Sequence, residues 1–114
     1  MLRVTLVRIA EANVPRLRAW LDSLDARRDE LAESYRRQHT RQELFYLIEG
    51  RDDPVLAIVS ESADLEAGAK EFLNSELAID VAFKSLIQDI GVGEPVAELV
   101  FDSRDVLPVP GSDE

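Results

Sequence analysis

Two carboxylates stand out in this 114-residue sequence. Glu43 and Glu98 each interrupt a run of otherwise apolar, strand-forming residues, RQELFYLIE and VAELVFD. A carboxylate held away from water has its pKa raised by desolvation unless a cation answers it. Raised carboxylates are how proteins obtain general acids. Arg3 is the natural answer to Glu98, because the first and last strands of the arrangement derived below are antiparallel neighbours. A structural salt bridge and a ligand contact are both open readings of these groups. Arg28 falls on the apolar face of a helix, at a step where a hydrophobic residue is due. It can snorkel outward with its stem on the core, pair with Glu43 or Asp80, or recognise an anionic ligand.

The remaining chemical side chains read more simply. His39, the lone histidine, follows a charged and polar run at a helix-to-strand junction, where a solvated or capping role is expected. One histidine cannot supply a three-His zinc site, and no metal-binding or cofactor motif is present, so none is expected. Ser34, Ser60 and Ser62 lack His and Asp partners in a hydrolase order. Gly91-Val92-Gly93 follows a helix, whereas a phosphate cradle precedes one, so it reads as a terminator. Trp20, Tyr35 and Tyr46 read as core, their polar tips finding a partner.

Composition narrows the class. The chain has the length of one domain and can bury about 65% of its unfolded surface without staples. It has no cysteine, which excludes disulfides and thiolate chemistry and suits the cytoplasm. Neither a signal peptide nor a membrane-spanning run is present, so no membrane partner is expected. The net charge of −10 repels nucleic acid. That charge is uneven: residues 1–41 carry +3 and residues 42–114 carry −13. Complementary packing of the two parts and a basic binding face are the two readings of this division, and the acids intermixed in the first helix favour packing.

The elements that must position these groups follow from periodicity. Residues 2–9 alternate as a strand. Asn13 can cap a helix in which Val14, Leu17, Leu21, Leu24, Leu31 and Tyr35 share a face, running to about Arg37. Residues 40–49 and 55–60 form a hairpin across the Gly50–Pro54 turn. Ser62 or Asp64 can cap a short helix, broken at Asn74 and Ser75. A further helix presents Ile79, Phe83, Leu86, Ile87 and Ile90 and ends at Gly91. Pro95 opens a last strand over 96–102. The domain thus spans 1–102. In the tail, 103–114, the segment Val106–Pro110 is either an extended arm on a partner subunit or disordered. The order βαββαβ specifies an α+β, ferredoxin-like fold: a four-stranded antiparallel sheet with two helices on one face.

That arrangement leaves one sheet face bare, yet the strands are apolar on both sides. Leu44, Tyr46 and Ile48 oppose Phe45 and Leu47; Leu56 and Ile58 oppose Val55, Ala57 and Val59. Ala97, Leu99 and Phe101 oppose Val96 and Val100. The Leu44, Ile58 and Leu99 side is assigned to the helices, because the other also carries Arg3, Thr5, Glu43 and Glu98. An exposed apolar patch of that extent exceeds what monomers tolerate, so a homodimer through the non-helical sheet face is expected.

Certain residues also carry a family resemblance over about residues 3–90. They are Trp20 early in the first helix, Arg28-Asp29-Glu30, Glu43 and Phe45 in the second strand, Ser75, and the Ile79-Asp80 pair. On these the chain resembles an uncharacterised family of short bacterial proteins in the dimeric α/β-barrel superfamily. It departs at Phe83, where that family often has histidine. The resemblance implies a homodimer with a pocket between sheet and helices and no established reaction. Arg3, Arg28, Glu43, Asp80 and Glu98 are the candidate ligand-binding residues. The expected function is a non-catalytic or small-ligand-binding module. The alternative is a cofactor-independent monooxygenase- or isomerase-like enzyme using a pocket carboxylate, which requires an internal cavity of a few hundred Å³.

Overall fold

A computed structural model describes residues 1–106. The elements are β1 (Leu2–Ile9), α1 (Val14–Asp22), α2 (Arg28–Arg37), β2 (Thr40–Ile48), β3 (Val55–Ser62), α3 (Leu65–Asn74), α4 (Ala78–Ile90) and β4 (Gly91–Gly93). Short 3₁₀ turns cover Glu11–Asn13, Ser23–Arg27 and Ser103–Asp105. The strands form one sheet in the order β2-β3-β1-β4, antiparallel at each pairing. This α+β arrangement is compatible with a ferredoxin-like fold.

The long first helix of the sequence reading is two helices. Ser23 donates its hydroxyl to the Trp20 carbonyl at 2.5 Å, and a 3₁₀ turn replaces the α-helix over Ser23–Arg27. Serine and aspartate compete for backbone partners in this way and weaken a helix interior. The break turns Arg28 outward. Its side chain is 79% exposed and pairs with Asp25 at 3.0 Å, not with Glu43 or Asp80.

The second helical region breaks where the sequence placed the break. Asp64 caps α3 by accepting from the Ala67 amide at 3.0 Å. At its other end Lys84 donates to the carbonyls of Phe72, Leu73 and Ser75, satisfying groups that a helix C-terminus leaves unpaired. Gly68 lies so close to the Gln38 carbonyl that a Cβ would collide with it, which holds α3 against the α2–β2 junction. His39 occupies that junction with φ 58°, the left-handed conformation of a tight turn.

Register fixes the two faces. Arg3, Ser60 and Glu43 lie side by side across β1, β3 and β2; Thr5, Ile58 and Phe45 form the next row, and Val7, Leu56 and Leu47 the third. These rows face the helices. Val7, Ile9, Leu56 and Ile58 pack with Val14 and Leu17 of α1 and Leu86 and Ile90 of α4 to make the core. The expected assignment of faces was therefore inverted for β1 and β2. Arg3, Thr5, Glu43 and Phe45 point inward, while Leu44, Tyr46 and Ile48 are exposed outside. Polar residues can face inward here because the first row borders a cavity and not a packed core. The outer face nonetheless carries exposed Leu2, Val4, Leu44, Tyr46 and Ile48.

The last strand is also displaced. Gly91–Gly93, expected only to end α4, is itself β4 and pairs with Ile9 and Arg8. Among the described residues, 94–102 hold no strand pairing, and Glu98 is exposed there. Pro95 removes one ladder donor at the point where the chain departs. Beyond Val106, the suggested arm through Pro110 lies outside the described residues.

Candidate functional site

Between the sheet and the helices lies a cavity of about 460 Å³, mostly apolar in lining and partly open to solvent. That volume is within the range of small-molecule sites. Its walls are built by the periodicities that build the core. The inward rows of β1, β2 and β3 form the floor. Trp20, Tyr35, Phe72 and Phe83 enter from α1, α2, α3 and α4.

Phe83 is the hub of the aromatic wall. Its ring centroid is 4.9 Å from that of Trp20, 6.0 Å from Phe45 and 6.2 Å from Phe72, the last two edge-to-face. Such tilted and edge contacts are the favoured geometry for ring quadrupoles. Trp20 Nε1 is buried and has no hydrogen-bond partner among the described residues.

Two carboxylates join the apolar wall. Glu43, from β2, accepts from the Tyr35 hydroxyl at 3.0 Å on one oxygen and from Ser60 at 2.9 Å on the other. Burial pushes its pKa above the ordinary glutamate value, opposed by the Ser60 and Tyr35 hydrogen bonds and the Arg3 charge, and assisted by Asp80. Burial, followed by the neighbouring Glu43 carboxylate, raises Tyr35 and keeps the phenol a donor. Asp80, buried in the first turn of α4, accepts from Ser34 at 2.6 Å and from Ser75 at 2.5 Å. Gln38 in turn donates to the Ser34 hydroxyl at 2.6 Å. Among the described residues each carboxylate is thus held by two neutral donors and by no ion pair.

Of the five residues the sequence singled out, the cavity brings together Arg3, Glu43 and Asp80. Arg28 and Glu98 lie outside it. Arg3 does not meet Glu98; its register partner is Ser60, and its charge acts on Glu43. Tyr35, Ser60, Ser34 and Gln38 were not read as site residues. The signal for Ser60 was present: a serine on the inward parity of VLAIVS. Nothing in one sequence pairs Tyr35 with Glu43.

Chemically, the site offers an aromatic slot, a cation at its edge and a carboxyl group able to change protonation state. Among the described residues no cluster of three or more His, Cys, Asp or Glu is placed to hold a metal ion. Nor is any helix there long and apolar enough to cross a membrane. No curated protein and no solved structure matches the chain. A family model matches residues 1–104, and on that match the chain belongs to DUF6176, a family of unknown function.

Proposed function

We propose that the protein is a cytoplasmic homodimer that binds a small, largely apolar molecule between its sheet and its helices. The observation that carries this reading is the 460 Å³ aromatic-walled cavity beside the Arg3–Ser60–Glu43 row. A ring-bearing ligand packs against Phe83 and Trp20, and its polar end lies toward Arg3 and Glu43. The dimer is supported by the exposed apolar outer face, which costs free energy in water and is of the kind that subunit contacts cover.

Trp20 is the only tryptophan and lines the cavity, so its emission reports occupancy. The test is titration with anilinonaphthalene sulfonate, a flat aromatic anion. Quenching of Trp20 that is lost in Ala69→Phe, which fills the cavity from α3, and kept in Arg28→Gln, an exposed position outside the cavity, supports the reading. Equal binding by wild type and Ala69→Phe would refute it.

A second reading is favoured by one observation: Glu43 is a desolvated carboxylate in a cavity able to hold a substrate. In a cofactor-independent isomerisation, ionised Glu43 accepts a proton from a carbon next to a carbonyl. It then returns that proton to another carbon of the same molecule. Turnover by the purified protein that Glu43→Gln abolishes supports this chemistry. Binding without turnover across ring-bearing carbonyl compounds leaves the site a binding module.

A further inference from the structure

The sheet is unequal along its length. β1 runs from Leu2 to Ile9, but β4 flanks only Arg8 and Ile9. From Leu2 to Val7, one edge of β1 has no neighbouring strand among the described residues. Arg3 and Thr5 are exposed for this reason although they point toward the helices, and both line the cavity. The site is therefore open along the line a longer fourth strand would follow.

The same chain carries a segment fit for that position and does not use it there. Residues 96–102, VAELVFD, read as a strand, yet Val96 is 93% exposed, Leu99 79%, Val100 82% and Phe101 70%. Gly93, at φ 156°, and Pro95, which has no amide hydrogen, set the chain leaving β1 at this point. Glu94, the first residue of the departing segment, still lines the cavity. An open strand edge and an unpaired apolar strand are both association hazards, and each supplies what the other lacks.

We infer that residues 95–102 of each chain are exchanged in the homodimer, lying along the open Leu2–Val7 edge of the second copy and walling its cavity. This rests on the dimer reading above. A second copy is the occupant because the exposed outer face reaches the same edge at Leu2 and Val4, so one partner can cover both. Twofold symmetry then provides two arms for two edges, a closed arrangement. In this assembly the binding site is incomplete in one chain.

The test uses the full chain, which has no cysteine of its own. A nitroxide placed through Glu98→Cys on unlabelled protein is mixed with isotope-labelled wild type, and subunits are allowed to exchange. The expected result is loss of amide signal at Leu2–Leu6 of the isotope-labelled chain, with scattering at twice the 12.8 kDa chain mass. A dimer whose β1 amides keep their intensity overturns the exchange and leaves the dimer standing. A stable 12.8 kDa particle overturns both.

Discussion

Tyr35 donates its hydroxyl to Glu43 at 3.0 Å, tying the last turn of α2 to the inward face of β2 across the cavity wall. The contact satisfies a half-buried phenol and one oxygen of a half-buried carboxylate. In Tyr35→Phe the ring still packs, while one Glu43 oxygen loses its donor. Stability falls by about 1–2 kcal/mol, measured by urea unfolding. Because the lost hydrogen bond favoured the ionised form, the Glu43 pKa rises further, which carboxyl NMR titration reads directly.

Glu43 also makes stability depend on pH. Its folded-state pKa lies above the ordinary value of 4.5, so the folded chain holds this proton more tightly than the unfolded chain. The associated stabilisation is full below pH 4.5 and is lost as pH rises through the folded-state value. Paired unfolding curves of wild type and Glu43→Gln check this. Their difference changes across that window, with wild type losing ground as pH rises, and is flat above it.

Much of the fold was legible because it rests on local patterns. The parity of LRVTLVRI, the apolar steps of 79–90 and the capping residue Asp64 each depend on a few neighbouring residues. The sheet faces are less legible, because a polar residue on a strand ordinarily marks the outside. Arg3, Thr5 and Glu43 mark a cavity instead, and periodicity alone cannot tell an inner void from solvent. The helix break came from a single side-chain contact, Ser23 to the Trp20 carbonyl, which propensity summed over the apolar face outweighs on paper. Of the site, Arg3, Glu43 and Asp80 are readable as charged residues among apolar neighbours, whereas Glu98, singled out on the same ground, lies outside it. The neutral donors Tyr35, Ser60, Ser34 and Gln38 became visible only once register and helix packing placed them beside the carboxylates.

Phe83 joins three aromatic neighbours, so truncating it removes contacts to α1, α3 and β2 together. Phe83→Ala lowers stability by about 3 kcal/mol, since a partly exposed site is at the lower end for such truncations. It also enlarges the cavity. The measurable consequence is a lower thermal midpoint combined with a red shift of Trp20 emission, because the ring beside the indole is gone.

Gly68 is fixed by close approach to another backbone segment. A methyl group there would press on the Gln38 carbonyl carbon and oxygen, neither of which lies at the end of a flexible side chain. Gly68→Ala ordinarily strengthens a helix by about 1 kcal/mol. Here it destabilises, by about 1–3 kcal/mol, as α3 is forced off the α2–β2 junction. Thermal unfolding that shows stabilisation would contradict the packing described for α3.

The outer face gives a sharper case, because one row of it crosses three strands. Val4, Val59 and Leu44 are register partners on β1, β3 and β2, and Val4 and Leu44 are exposed. In a lone chain, a charge at either position meets water and leaves stability within about 0.5 kcal/mol. In a face-to-face dimer the same charge is buried against apolar side chains without a partner, which costs several kcal/mol. Val4→Asp and Leu44→Asp therefore separate the dimer into folded monomers, seen as halved mass in light scattering with an unchanged far-ultraviolet dichroism spectrum. Because these substitutions lie outside the cavity, the Glu43 titration persists in the monomers, whereas Trp20 quenching by the aromatic anion weakens to the extent that the partner's arm walls the site.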